Sequence, residues 1–110
     1  MRLGIIGGTG LVNLDLRDEL AHRQGEFIRQ DDVVVSTAYG EVPLRTCTLV
    51  VNGRRSELVF LQRHHSTSGH GCPPHQINHR ANILAMNDSN LDAVVAVCSV
   101  GAIASSFPPG

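Results

Sequence analysis

Side chains that could bind an anion are concentrated in one short segment of the sequence. Five of the six histidines and one arginine lie within residues 63–79. Arg63 and His64 follow the apolar run 58–61 after one further residue, and that run predicts a buried strand. A guanidinium offers a planar pair of donors that suits phosphate oxygens, and an imidazole adds a further donor. The segment therefore indicates an anion-binding site, unless Arg63 pairs with an internal carboxylate instead.

Two other segments carry groups that could contribute to such a site. Residues 7–10 read Gly-Gly-Thr-Gly after the apolar run 2–6, and stacked N–H groups with the Thr9 hydroxyl could form an anion nest. An ordinary tight turn would use the same glycines, and neither a P-loop nor a complete dinucleotide fingerprint is present. Cys98 and Ser99 end another apolar run. No nucleophile elbow surrounds them, so we interpret the pair as packing beside an anion rather than as covalent catalysts.

A metal site is the alternative interpretation of the histidine-rich segment. His75 and His79 are four residues apart in a predicted helix, and Cys72 precedes them. No glutamate stands between the two histidines and the sequence has no Cys-x-x-Cys pair, so the spacing does not match known zinc sites. We therefore predict no metal, and we expect both histidines at the helix surface or in an interface.

The order of the predicted elements indicates an α/β fold with a mixed sheet. We predict strands over residues 2–6, 32–36, 44–51, 56–61 and 93–98, the last of them central. Asn52-Gly53 lies between two β-rich runs and predicts a hairpin, because both residues tolerate positive φ. Ligands of α/β proteins bind beyond the carboxyl ends of the strands. If the first, fourth and fifth strands are neighbours, the three segments that follow them converge on one pocket. These segments, residues 7–10, 63–70 and 98–101, are the ones that carry possible anion-binding groups.

Two helices are predicted from their caps and their apolar spacing. Asn13 or Asp15 could cap a short helix over residues 16–22. The second helix is expected from the double proline at 73–74 to about Asn87. The residues that it would place on one side are Ile77, Ala81, Leu84 and Ala85.

Composition and charge exclude several classes of protein. The 110 residues are 42% hydrophobic and 17% charged, as in an ordinary globular domain. A net charge of −1 without a basic block gives no indication of nucleic acid or of an anionic membrane surface. No apolar run approaches the ~20 residues of a membrane-spanning helix. Three irregularly spaced cysteines favour a reducing compartment, so we predict a cytoplasmic protein.

Taken in order, the motifs resemble those of the purine nucleoside phosphorylases, in the branch of methylthioadenosine and methylthioinosine phosphorylases. The similar segments are Gly-Ile-Ile-Gly-Gly-Thr-Gly-Leu at 4–11, Thr-Ala-Tyr-Gly at 37–40, Arg63-His64 with the later His70, Pro-His-Gln-Ile-Asn-His-Arg-Ala-Asn at 74–82, Val-Cys-Ser-Val-Gly at 97–101 and Pro-Gly at 109–110. The resemblance implies a phosphorylase/hydrolase-like mixed sheet flanked by helices. It also implies that residues 1–110 are the N-terminal part, the incomplete front half, of a single nucleoside phosphorylase domain.

The resemblance further implies phosphorolysis of 5′-methylthioadenosine or 5′-methylthioinosine to a free purine and 5-methylthioribose 1-phosphate. Inorganic phosphate would be the co-substrate, with no cofactor, and the whole protein would be a homotrimer. The matching positions assign phosphate binding to Thr9, Arg63, His64, Cys98 and Ser99, and a sugar-side role to His70. The family's purine-binding and acid residues come later in the chain. We therefore expect no catalytic residue here and no turnover by residues 1–110 alone.

Some positions depart from the family pattern, and two other function classes stay open. Cys98 replaces a hydroxyl or amide residue, His79 replaces a tyrosine, and two extra residues separate His64 from His70. The first alternative function is a phosphate- or nucleotide-binding module, although the incomplete fingerprint disfavours a dinucleotide. The second is an interaction partner of full-length relatives, which an unpaired sheet edge would favour.

Overall fold

A five-stranded sheet and one α-helix form the described part of the chain. The computed structural model describes residues 1–8, 22, 25–66, 71–98, 102–103 and 105–106. The elements are β1 (Arg2–Gly7), β2 (Gly25–Thr37), β3 (Gly40–Val51), β4 (Arg54–Gln62), a 3₁₀ turn (Pro74–Gln76), α1 (His79–Asn87) and β5 (Ala93–Ala96). The strand order in the sheet is β2-β3-β4-β1-β5. Among these elements, no helix is both long and apolar enough to cross a membrane.

The antiparallel half of the sheet is built from two hairpins, β2–β3 and β3–β4. Asn52 and Gly53 connect β3 to β4 with φ values of 52° and 75°, both in the left-handed region. The predicted Asn-Gly hairpin is therefore confirmed. Strand β2 is much longer than the predicted 32–36, because pairing with β3 continues back to Gly25, opposite Val51. Cross-strand pairing extends this strand where the sequence has no apolar run.

The parallel half of the sheet places β1 between β4 and β5. Ile5 lies beside Phe60 of β4 and beside Val95 of β5, and both pairings are parallel. The predicted mixed sheet is thus confirmed. The prediction of a central strand over 93–98 is wrong in the described sheet, where β5 is shorter and lies at the edge. All four of its residues are exposed, although a continuous apolar run is typical of a strand covered on both faces.

The core lies between one face of the sheet and α1. Its buried members are Val42, Leu44, Val59 and Leu61 from the sheet, with Ala81, Ala85 and Met86 from the helix. A Cβ at Gly4 would lie 2.5 Å from Leu91 Cδ1 and 2.6 Å from Met86 Cε. The helical segment can pack this closely on β1 only because position 4 has no side chain.

Helix α1 begins later than the double proline suggested. Pro74–Gln76 forms a 3₁₀ turn, Ile77 is extended, and Asn78 is the N-cap. Its side-chain Oδ1 accepts from the Ala81 backbone N–H at 3.1 Å. Asparagine is a favoured cap because it satisfies an N–H without a partner in the first turn, so the helix starts directly after it. The predicted end at Asn87 is confirmed. The predicted helix over 16–22 lies outside the described residues except for its last position.

The buried side of α1 differs from the one that apolar spacing predicted. Ala81 and Ala85 are buried as expected. Ile77 and Leu84 are only half-buried, and the other two fully buried positions belong to Asn82 and Met86. The buried face is thus shifted by about one residue and includes one polar side chain.

Candidate functional site

Three strand ends meet at one edge of the sheet. Strand β1 is parallel to both β4 and β5, so their carboxyl ends point the same way. The first, fourth and fifth strands are therefore neighbours, which is the condition under which the three segments were predicted to converge. The residues beyond these strand ends include Gly8, Arg63 and Cys98. This is the edge at which ligands of α/β proteins bind.

Arg63 connects all three strand ends. Its backbone N–H donates to the carbonyl oxygen of Gly7, the last residue of β1, at 3.0 Å. Its guanidinium Nη1 donates to the carbonyl oxygen of Val97, just after β5, at 2.6 Å, and lies 3.6 Å from Cys98 Sγ. Among the described residues, no carboxylate forms an ion pair with Arg63. The alternative of an internal salt bridge thus finds no support there. A neutral carbonyl positions the guanidinium without cancelling its charge.

Gly8 leaves room for the Arg63 guanidinium. A Cβ built at this position would lie 2.7 Å from Arg63 Nη2 and 3.2 Å from Cζ. Both distances are shorter than an ordinary van der Waals contact. Gly8 is not among the described residues that have positive φ, so close approach rather than backbone geometry requires a glycine here. Gly8 therefore provides the space that the Arg63 guanidinium occupies.

The next residue, His64, is held by two hydrogen bonds to one residue. The Cys72 backbone N–H donates to the His64 carbonyl oxygen at 2.7 Å. The His64 ring Nδ1 lies 2.9 Å from the Cys72 carbonyl oxygen. This reciprocal pair joins positions 64 and 72 and restrains the orientation of the His64 imidazole.

A buried asparagine supports the same loop from the helix. Asn82 is 4% exposed, and its Oδ1 lies 2.6 Å from His65 Nε2. Its Nδ2 donates to the Arg63 carbonyl oxygen at 3.5 Å, a long bond. Because a buried amide must satisfy its donors and acceptors, these contacts connect α1 to the loop that carries Arg63 and His64. No role was predicted for Asn82 from the sequence. The available signal was an asparagine next to Ala81 and three residues before Ala85, on the apolar side of a predicted helix.

The remaining predicted site residues have different outcomes. Cys98 is an exposed free cysteine in contact with Arg63. Thr9, His70 and Ser99 lie outside the described residues, so their predicted roles stay predictions. Next to Arg63 in the sequence, the buried side-chain Oε1 of Gln62 has no hydrogen-bond partner among the described residues.

The histidines of the metal alternative lie at the surface. His75 and His79 are both exposed, as predicted, at the 3₁₀ turn and at the first residue of α1. In the part of the chain that the structure describes, no cluster of three or more His, Cys, Asp or Glu side chains could hold a metal ion. The geometry thus gives the metal alternative no support there.

Comparison with curated proteins identifies similar enzymes over nearly the whole chain. The chain is 35% identical over 108 residues to a protein of Methanothermobacter thermautotrophicus named a probable S-methyl-5′-thioinosine phosphorylase, covering 98% of this chain and 34% of that protein. It is 35% identical over 108 residues to the S-methyl-5′-thioadenosine phosphorylase of Saccharolobus solfataricus, covering 98% and 35%. It is 34% identical over 109 residues to the 6-oxopurine nucleoside phosphorylase of Pyrococcus furiosus, covering 99% and 35%. The predicted resemblance to the nucleoside phosphorylases is confirmed.

The fold agrees with this relationship to the nucleoside phosphorylases. The crystal structure of a methylthioadenosine phosphorylase from an antarctic soil metagenomic library matches with a TM-score of 0.59 and 25% identity, covering 86% of this chain and 28% of that one. No protein-family model matches the sequence. The chain spans about a third of the length of the curated relatives that it matches. The predicted α/β class with a phosphorylase-like mixed sheet is confirmed.

Proposed function

We propose that this chain supplies the phosphate-binding site of a nucleoside phosphorylase in purine salvage. The observation that carries the proposal is Arg63, whose backbone and guanidinium connect the ends of β1, β4 and β5 without an ion-pair partner among the described residues. A positioned, uncompensated guanidinium is suited to a phosphate dianion. The names of the similar proteins, all nucleoside phosphorylases, support phosphate as the anion.

In the proposed reaction, Arg63 and His64 hold inorganic phosphate, with Thr9, Cys98 and Ser99 as the further expected contacts. A phosphate oxygen forms a bond to the anomeric carbon of 5′-methylthioadenosine or 5′-methylthioinosine. The glycosidic bond breaks and its electron pair leaves with the purine, which takes up a proton. The products are the free purine and 5-methylthioribose 1-phosphate, and no cofactor takes part.

The contribution of this chain would be alignment and electrostatic stabilisation. A bound phosphate is already oriented for attack, which replaces a bimolecular encounter by a positioned one. Its negative charge also stabilises the positive charge that develops on the sugar as the purine departs. From the resemblance of the motifs, we extend the proposal to residues 1–110 as the N-terminal part of one domain and to a homotrimer of the whole protein.

Thermal unfolding with and without phosphate tests the anion site. Phosphate at about 100 times its Kd should stabilise the folded chain by about 2.7 kcal/mol. For a domain of this size, that corresponds to a rise in Tm of about 10 °C or more. Arg63→Ala should abolish the rise, because it removes the charged donor.

Arg54→Ala is the matched control. Arg54 is exposed and lies at the opposite end of the same strand, so this variant removes the same charge away from the site. It should keep the full response to phosphate. An equal response in Arg63→Ala and the wild-type chain would show that Arg63 is not an anchor of the anion and would refute the proposed site.

A further inference from the structure

The hydrogen bonds of His64 determine which of its ring nitrogens carries the proton. Nδ1 lies 2.9 Å from the Cys72 carbonyl oxygen. A carbonyl oxygen only accepts hydrogen bonds, so Nδ1 must be the donor. The neutral imidazole has a single N–H, and Nε2 therefore carries a lone pair. The second contact, from Cys72 N–H to the His64 carbonyl oxygen at 2.7 Å, holds the loop in the position that fixes this tautomer.

We propose that His64 makes the site selective for an anion that still carries a hydrogen, and so favours phosphate over sulfate. This inference rests on the proposed phosphate site. The neutral Nε2 accepts a hydrogen bond from a P–OH group, while the Arg63 guanidinium donates to the charged oxygens. In slightly alkaline solution, phosphate is a dianion with one remaining O–H, whereas sulfate is a dianion with none. Sulfate would place an oxygen lone pair against the lone pair of Nε2.

The groups around His64 permit this division of roles. Arg63 supplies the positive charge of the proposed site. Two titratable neighbours of His64 on the described segments are His65 and Cys72. Both have partners of their own: His65 Nε2 lies 2.6 Å from Asn82 Oδ1, and the Cys72 thiol donates to the His65 carbonyl oxygen at 3.6 Å. No carboxylate among the described residues is hydrogen-bonded to the His64 ring.

Two measurements on the whole protein test the inference. Long-range ¹H–¹⁵N NMR of the histidine rings should show that Nδ1, not Nε2, carries the proton of the neutral His64 ring. Titrations with sodium phosphate and with sodium sulfate, at matched ionic strength in the same buffer, should show a preference for phosphate of about tenfold or more. This is the difference expected for one hydrogen bond that involves a charged partner.

The substitution of His64 by a side chain that can either donate or accept a hydrogen bond separates selectivity for phosphate from anion binding itself. In His64→Gln, the amide can turn its N–H towards sulfate or its C=O towards the phosphate hydroxyl. The ratio of the two affinities should therefore fall to about one. His75→Gln, at an exposed position, makes the same exchange away from the site and should keep the wild-type ratio. Thermal unfolding of each variant without added anion verifies that it is folded.

The possible results distinguish this inference from the proposed function. Equal affinities for phosphate and sulfate in the wild-type chain, still lost in Arg63→Ala, would overturn the selectivity and leave the phosphate site standing. A neutral His64 ring with its proton on Nε2 would also overturn it, whether or not the glutamine variant folds. Failure of the wild-type chain to bind either anion would refute the phosphate site, and the selectivity with it.

Discussion

The substitution Gly8→Ala would place a methyl group against the anion-binding end of Arg63. The new Cβ would lie 2.7 Å from Nη2, which must retreat by about 0.7 Å or more before it reaches the 3.4 Å of an ordinary contact. The backbone accepts alanine, since Gly8 is not among the residues with positive φ. The clash falls on the tip of a flexible side chain, so the guanidinium moves while the fold is preserved.

The cost should therefore appear in phosphate affinity rather than in stability. A retreat of this size disturbs the 2.6 Å hydrogen bond from Nη1 to the Val97 carbonyl oxygen and displaces the donors from the anion. Hydrogen bonds that involve a charged group contribute about 1.5–3 kcal/mol. We expect phosphate to bind about 10- to 150-fold more weakly. The Tm without phosphate should be unchanged or slightly higher, because alanine restricts the unfolded chain.

Calorimetric titration with phosphate, together with thermal unfolding in its absence, measures both quantities. Gly71→Ala is the control, because its added Cβ would lie 3.6 Å from the His64 carbonyl oxygen, an ordinary contact. It should leave phosphate affinity close to that of the wild-type chain. If Gly8→Ala bound phosphate as tightly as this control, the Arg63 guanidinium would not be held beside Gly8 in the bound state, and the predicted role of Gly8 would be refuted.

Two further predictions concern stability. Gly4→Ala should destabilise the fold by about 1–3 kcal/mol through overpacking, since its Cβ would lie 2.5 Å from Leu91 Cδ1 and 2.6 Å from Met86 Cε. Thermal unfolding measures the loss, and an unchanged Tm would contradict the close packing. Burial raises the pKa of the Cys47 thiol, so the unfolded chain releases a proton that the folded chain keeps, and stability should decline as pH rises above the ordinary thiol value of 9.0. Denaturant titrations across that range should show a shallower decline for Cys47→Ala than for Cys98→Ala, and equal slopes would refute the assignment to Cys47.

Local sequence rules were sufficient for the elements whose structure is set by local chemistry. The Asn52-Gly53 turn required only two residues that tolerate positive φ. The ends of β1 and β4 followed from apolar runs that stop before Gly7 or before Gln62. The mixed sheet followed from the order of hairpin and strand–helix–strand segments. Convergence of the strand ends was predicted only conditionally, since neighbouring strands are chosen by the whole sheet.

The features that sequence reasoning missed depend on partners distant in the chain. Strand β2 extends back to Gly25 because β3 offers ladder partners, which the mixed polar and apolar residues 25–31 do not reveal. Helix α1 begins after Asn78 because that side chain also donates to the Tyr39 carbonyl oxygen at 2.9 Å, in the β2–β3 turn. Asn82 is buried because His65 and Arg63 satisfy its amide. In each case a tertiary contact overrides the local preference.

The hydrogen bond from Arg63 to a backbone carbonyl oxygen orients the guanidinium and leaves its positive charge available to an anion. A carboxylate partner would fix the guanidinium more strongly, but it would also repel the incoming anion and would have to be displaced. The Val97 carbonyl oxygen accepts from one N–H and adds no net charge, so this contact leaves the positive charge of Arg63 for the anion. The same bond joins the loop after β4 to the end of β5, which otherwise lies exposed at the sheet edge. An anion that holds Arg63 in this orientation therefore also favours the paired position of β5, so ligand binding and order at that edge should reinforce each other.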